Sequence, residues 1–286
     1  MSQKLGLDRS ACPLGRRAIE SLLQAEDPVL NSARHDRVAT STNSLAISEL
    51  RDSELQDGHA DDSLSETDYP RLILADEQSD GRGRSGKTWM SDQGTLTFTL
   101  VIQHAEDLPG MPLAVGVGLA HAIEFEFAPL KVHLKWPNDL IVGGAKLGGV
   151  LCESVQSTAR FGAQRYVAIG IGVNVATEPA LDSDDTNTSI SLGRHIGRPL
   201  QRYDILPHLI HGVLESVERL AEDPKSIGDD FRRHCCLTGH AVAYREGDVM
   251  QAAECLGIDD QGALLMRNGG RIIRRTSGEI NRIRQA

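Results

Sequence analysis

The sequence has no long apolar run. Nowhere in its 286 residues do hydrophobic side chains approach the roughly 18 in succession that a membrane-spanning helix needs. The opening MSQKLGLDRSACPLGRR lacks the apolar segment of a secretory signal, so a cytoplasmic location is the default expectation. Cysteine is scarce and unpatterned. Cys12, Cys152, Cys235, Cys236 and Cys255 form no C-x-x-C pair, which excludes an obvious zinc site or disulfide framework. Reduced thiols are expected. Positive charge is also short, with 30 basic against 40 acidic residues and a formal net charge of −10. That balance lacks the basic footprint of a general nucleic-acid binder. Nor is there a Ser–His–Asp or Cys–His signature of nucleophilic catalysis. What is present, 40% hydrophobic and 24% charged residues, is an ordinary globular mix. The length allows one large domain or two, with a substantial core.

The charge is uneven. Between Arg51 and Tyr69, seven acids (Asp52, Glu54, Asp57, Asp61, Asp62, Glu66, Asp68) face one arginine, so this stretch holds most of the excess. With few apolar residues it reads as an exposed, mobile loop over 51–69. Before it, Ile19, Leu22 and Leu23 share a helical face, and Thr42-Asn43 suits a helix start. After it the texture becomes α+β. Strands are expected at 71–75, 95–102, 131–136, 139–142, 147–153 and 165–175. Helices are expected over 111–127, with Pro112 in the first turn, and over 206–220. Past about residue 234 only short strands remain, at 241–244, 252–258, 263–266 and 271–274, the pattern of a small β-barrel.

Residues 81–88, GRGRSGKT, satisfy two motifs at once. They match G-x-x-x-x-G-K-[ST], the phosphate loop, and G-x-G-x-x-G, the dinucleotide fingerprint. Both motifs need a helix to begin at the loop, because its N-terminus supplies amides and dipole. Here Trp89-Met90-Ser91-Asp92-Gln93-Gly94 leads into a strand instead. A kinase glycine loop does sit between strands, but H-R-D and D-F-G are absent. What survives is chemistry: Arg82, Arg84 and Lys87, spaced by glycines that let backbone close around an anion, suit phosphate or carboxylate. The glycines predict a loop disordered without ligand.

Further motifs follow in a fixed order. GRGRSGKTW (81–89), KWPND (135–139), KLGGVLCE (146–153) and GIGVNV (170–175), with STN at 41–43 and GEINRIR near the end, resemble the signature blocks of the biotin–protein ligase family over roughly 38–286. The resemblance implies an α+β fold: a mixed β-sheet flanked by helices, akin to class II aminoacyl-tRNA synthetases, with a small C-terminal SH3-like β-barrel. It implies a helical extension over 1–37, a catalytic biotin/ATP domain over 38–233 and a barrel over 234–286. The implied activity joins biotin to ATP as biotinyl-5′-AMP, with Mg²⁺, and passes biotin to a lysine of a biotin carboxyl carrier protein.

By the same resemblance Lys146, Arg82 and Arg84 are the catalytic cations. Ser41, Thr42, Asn43, Gln78, Arg82, Gly83, Arg84, Lys146, Gly149 and Gly172 would hold biotin. Trp89, Lys135, Asn138, Lys146 and Asn174 would serve ATP or the adenylate. Such chemistry rests on positioning and charge neutralisation, which fits cations in loops and the absence of a nucleophile.

Alternatives stay open at this point. Trp89 could be a plain core residue. Asp139 is equally a structural hydrogen-bonding group or a neighbour of Mg²⁺, and no metal ligand set is evident. Asp80 and Asp92 stand where the family has a small neutral residue and proline, which lowers the expected affinity for the adenylate. Lipoate–protein ligases and octanoyl transferases share the fold, and a biotin binder without catalysis is a further reading. About 38 residues before Ser41 are too few for the winged helix of biotin-dependent repressors, so no DNA binding is expected. The sequence leaves open a homodimer.

Overall fold

Alternation in the sequence becomes two sheets. The computed structural model describes residues 4–55, 65–104, 110–157, 164–177 and 188–283. It divides into two compact units: Met1–Asp107 with Gly143–His211, and Leu108–Val142 with Gly212–Ala286.

In the first unit, β1 (Lys4–Leu7), α1 (Pro13–Leu23), β2 (Ser32–Ala39), α2 (Thr42–Leu55), β3 (Arg71–Gln78) and β4 (Thr95–Gln103) follow in order. In the second unit come α3 (Met111–Glu126), β5 (His133–Lys135) and β6 (Asp139–Val142). The chain then supplies β7 (Ala145–Ser157), β8 (Gln164–Asn174) and α4 (Leu192–Ile196) to the first unit. Next come α5 (Leu206–Glu222), α6 (Pro224–His234), β9 (Ala241–Glu246), β10 (Val249–Ile258), β11 (Leu264–Asn268), β12 (Arg271–Arg275) and β13 (Ile280–Arg282).

Strands of the first unit lie in the order β1-β2-β3-β4-β8-β7. The pairs β1–β2 and β2–β3 are parallel, while β3–β4, β4–β8 and β8–β7 are antiparallel. This is the expected mixed sheet with helices. On the α2 side, Ala46 and Leu50 pack with Tyr69, Ile73, Val101, Tyr166 and Ala168. Burial of each large apolar side chain there contributes about 1.5–3 kcal/mol.

Two expectations need correction. Residues 1–37 are not a helical extension. Their helix α1 forms as read, burying Ile19, Leu22 and Leu23, but β1 and β2 also belong to the main sheet. The sequence SARHDRVA of β2 is polar and weakly patterned, so its strand state comes from pairing with β3 rather than from intrinsic preference. The acidic stretch is also shorter as a loop than expected. Helix α2 continues to Leu55, a 3₁₀ turn covers Glu66–Asp68, and Asp68 and Tyr69 are buried. The intervening 56–64 lie outside the described residues.

The second unit holds the β5–β6 hairpin and an antiparallel sheet ordered β12-β11-β10-β9-β13. Five antiparallel strands fit an SH3-like domain, though the strand order is open rather than a closed barrel. Helix α6 was not legible. It buries only Ile227 and Phe231, at i and i+4, together with Asp230. It is defined by its ends: Asp223 accepts from the Ser226 amide at 3.2 Å, and Arg232, Arg233 and His234 occupy the last turn. Cations there complement the helix dipole. No helix among the described residues is long and apolar enough to cross a membrane.

Candidate active site

Strands β4, β8 and β7 form the floor. Successive side chains on a strand point to opposite faces, so Thr95, Thr97 and Thr99 of β4 share one face. Opposite them in register stand Asn174, Gly172 and Gly170 of β8. Gly149 of β7 pairs with Gly172. Two glycines abreast leave a patch of sheet bare of side chains. Two of the floor glycines are required by what sits on them. A Cβ on Gly172 would run into the Trp89 ring, and one on Gly170 into the Asn43 amide.

The STN segment opens α2 above this floor. Ser41, buried, ends in a hydroxyl that accepts from the Ser44 amide at 3.4 Å. The Thr42 amide and hydroxyl both donate to Gln78 Oε1, at 2.7 and 3.1 Å. Thr99 Oγ1 lies 2.8 Å from Thr42 Oγ1 and donates to Asn43 Oδ1 at 2.6 Å. Asn43 Nδ2 reaches Leu151 O at 3.1 Å and Glu153 Oε2 at 2.9 Å. Thr42, Asn43 and Gln78 thus meet with Thr99 in one hydrogen-bonded cluster, and Ser41 caps the adjoining turn through the Ser44 amide.

The glycine–arginine loop leaves β3 and enters β4 without an α-helix, which removes the phosphate-loop and dinucleotide readings on structural grounds. Instead of an unstructured loop, its backbone is closed by three bonds. Gly83 N donates to Lys87 O (2.7 Å), Lys87 N to Arg84 O (3.1 Å) and Trp89 N to Gly81 O (2.8 Å). Its tip carries Ser85 at φ 55° beside Gly86 at φ 76°. A left-handed serine is uncommon, and such conformations gather at functional loops. Arg84 is half-buried, whereas Arg82 and Lys87 are exposed. Trp89 lies on the floor, half-buried, with Nε1 3.4 Å from Thr97 Oγ1.

Lys146 begins β7. Its amide donates to Thr188 O at 2.8 Å and its carbonyl accepts from Ile190 N at 2.9 Å. The neighbouring Asn174 is buried, and Nδ2 donates to Ile190 O at 3.3 Å. Among the described residues its buried Oδ1 has no donor. An unmet buried acceptor costs about 1–3 kcal/mol, so a ligand donor there would recover stability. Burial outweighs the nearby Arg84 and raises the Cys152 thiol, and burial likewise raises Cys236 and Cys255 to about 11.

The remaining two predicted positions lie in the second unit. Lys135 is buried, with Nζ donating to Asn281 Oδ1 at 2.8 Å. KWPND is thereby tied to GEINRIR. Trp136 Nε1 donates to Gly262 O at 3.0 Å, and Asn138 is half-buried.

Several participants went unread. Thr97 and Thr99 carried a signal, since TLTFTL alternates a hydroxyl with a large apolar residue. Glu153 ended a recognised block without being singled out. Arg202 had no signal. It is buried and its Nη1 donates to Asp76 O (2.7 Å), Asp92 O (3.1 Å) and Thr95 O (2.7 Å). It therefore clasps the main chain at both ends of the anion loop. Asp92 is a turn former: Oδ1 accepts from Gly94 N (2.9 Å), Thr95 N (3.1 Å) and Thr177 Oγ1 (2.6 Å). Those bonds orient its carboxylate to the turn, which gives Asp92 a structural role beside the expected electrostatic one.

A family model for the biotin/lipoate A/B protein ligases matches residues 49–174. Over those residues, a little under half of its length, the chain is similar to this family. It is 29% identical over 222 residues to the bifunctional ligase/repressor BirA of Bacillus subtilis, covering 73% of this chain and 65% of that protein. It thus spans about two thirds of that relative's length. It is 27% identical over 223 residues to the biotin–[acetyl-CoA-carboxylase] ligase of Mycobacterium tuberculosis, covering 74% and 79% of the two chains. The biotin protein ligase of Aquifex aeolicus, solved with biotin and ATP, shares the fold at a TM-score of 0.68. Identity there is 23%, over 88% of this chain and 99% of that one.

Proposed function

We propose that the protein is a biotin–protein ligase, converting biotin and ATP to biotinyl-5′-AMP and then modifying a lysine of a biotin carboxyl carrier domain. One observation carries this reading. Four motif blocks distant in sequence converge on one face of one sheet: Asn43 on Gly170, Trp89 on Gly172, Gly149 beside Gly172, and Arg82 on Glu153. An uncharged ring system needs an apolar, shape-fitting bed with a few directed polar groups. The bare glycine floor, the Trp89 ring and the Thr42–Asn43–Gln78 cluster supply both.

In the first step a carboxylate oxygen of biotin attacks the α-phosphorus of ATP. The bond to the bridging oxygen breaks and pyrophosphate leaves with its electron pair. Two anions must approach each other, so cations at the meeting point lower the barrier. Lys146 and Arg84 fill that role, with Ser41 at the start of α2 and Gly83 in the loop lining the biotin side. In the second step the lysine amine attacks the acyl carbon, AMP leaves with the electron pair of the C–O bond, and the nitrogen loses a proton to solvent. Asn174 Oδ1 offers an acceptor to the adenylate, and the nucleotide role of Lys135 and Asn138 rests on the resemblance of KWPND alone. Among the described residues no group of three His, Cys, Asp or Glu could hold a metal. Mg²⁺ would arrive on the nucleotide phosphates, as is usual for this ion.

The test is transfer of labelled biotin to a purified carrier domain with Mg²⁺-ATP, in competition with lipoate. Transfer that unlabelled biotin suppresses and lipoate does not is expected. Absence of both transfer and adenylate would refute the reading, and preference for lipoate would move it to the neighbouring activity.

A further inference from the structure

Glu153, at the end of KLGGVLCE, receives donors from two distant segments. Arg82 Nη2 meets Oε1 at 2.6 Å, and Asn43 Nδ2 meets Oε2 at 2.9 Å. Arg82 also donates through Nη1 to Ser44 Oγ at 3.2 Å, on the first turn of α2. The first arginine of the anion loop is therefore fastened at both nitrogens to groups of the biotin-side cluster. Through Asn43 the chain of bonds continues to Thr99, Thr42 and Gln78. The ion pair is partly open to water, with side-chain exposures of 42% for Arg82 and 24% for Glu153. Water moderates its strength, and its short geometry still fixes direction.

A guanidinium already compensated by a carboxylate is poorly placed to neutralise a phosphate. We propose that Glu153 and Arg82 form an anchor that pins the start of the anion loop to the Asn43 cluster. Arg82 then acts as a positioning residue, and Arg84 is the loop cation that meets the ligand's anion. The anchor is a statement about the ligand-free protein. Only its kinetic consequence rests on the ligase reading. In that setting, occupation of the Asn43 cluster and the geometry of the loop depend on each other through one carboxylate.

Hydrogen–deuterium exchange on the ligand-free full chain reads the anchor directly. The amides of Gly83, Lys87 and Trp89 report closure of the loop. Glu153→Gln and Arg82→Gln should each speed their exchange about three- to fivefold, the range of a partly exposed ion pair. The double variant should exchange no faster than either single one, while Arg84→Gln should match wild type. Wild-type exchange in both single variants, or additive effects, would overturn the anchor.

Kinetics add an independent reading. Glu153→Gln and Arg82→Gln should raise KM for biotin by a similar factor, Glu153→Asp should restore part of it, and Arg84→Gln should raise KM for ATP. If Arg82→Gln instead behaves like Arg84→Gln while Glu153→Gln is neutral, Arg82 is a phosphate ligand and the proposal fails. A wild-type protein that makes no adenylate yet shows the expected exchange pattern would refute the ligase reading and leave the anchor standing.

Discussion

The two faces of the main sheet both carry polar residues, and they use them in opposite ways. On the α1 face, His35, Asp76, Arg202 and Tyr203 are all buried. Asp76 is surrounded by donors: His35 Nε2 at 2.8 Å, the Cys12 amide at 2.7 Å and the Tyr203 hydroxyl. Burial alone would raise its carboxyl, but those three bonds outweigh burial and hold it below the ordinary carboxylate range. Burial, and then the adjacent carboxylate, push the Tyr203 phenol up. On the α2 face the polar residues border glycines, and among the described residues Asn174 Oδ1 has no donor. The α1 face too has buried atoms with no partner among the described residues, Arg16 Nε and His35 Nδ1. The faces therefore differ in their neighbours: a carboxylate enclosed by three donors specifies a scaffold, and polar groups set over glycines mark the candidate site. The same strands, β3 and β4, carry both, and Arg202 connects the scaffold to the ends of the anion loop.

Substitutions should separate the faces. The largest effect is expected at Lys146. Lys146→Met should slow adenylate formation by about 10²–10³ while leaving thermal stability near wild type, measured by single-turnover pyrophosphate release and by melting. Next comes Arg202→Met on the scaffold face. Breaking a buried ionic cluster costs about 3 kcal/mol, so urea midpoints should fall clearly. An unchanged midpoint would remove the scaffold role. Asp76 gives this face a pH signature. Because its folded pKa lies below the unfolded one, its stabilisation is present above the ordinary carboxylate pKa and is lost as pH falls through the folded value. Asp76→Asn should therefore lower stability at neutral pH and flatten its loss in acid, as followed by melts across pH.

Smaller effects belong to the floor and the turn. Gly172→Ala should displace Trp89 and weaken biotin binding by about 1–3 kcal/mol, the usual cost of overpacking, read by calorimetry. Retained affinity would mean Trp89 moves freely and is no wall. Smallest of all is Asp92→Asn, which keeps the Oδ1 acceptor. Stability and KM for ATP should both stay within about 0.5 kcal/mol of wild type. A marked fall in KM would restore the view that the Asp92 charge opposes the anion loop.

The contrast between faces also explains what could be read in advance. The α2 face was legible because its residues are contiguous: STN, GRGRSGKTW, KLGG and GIGVN each bring several functional groups in one run. Strands such as TLTFTLVI announced themselves by period. The scaffold face was not legible. Cys12, His35, Asp76, Arg202 and Tyr203 meet only through the fold, each alone in a segment with no pattern. Short polar strands such as β2 and sparsely apolar helices such as α6 stayed hidden for a related reason: their neighbours decide their state. Asp92 was read for its charge alone, and its turn-forming hydrogen bonds went unread.

The central claim is that the glycine floor and the cations beside it activate a carboxylate by adenylation. Biotin-dependent exchange of labelled pyrophosphate into ATP tests it most directly, with no carrier protein needed. Exchange that requires biotin, and that falls by about 10²–10³ in Lys146→Met, is the predicted result. Exchange at the same rate without biotin, or none with it, would contradict the account.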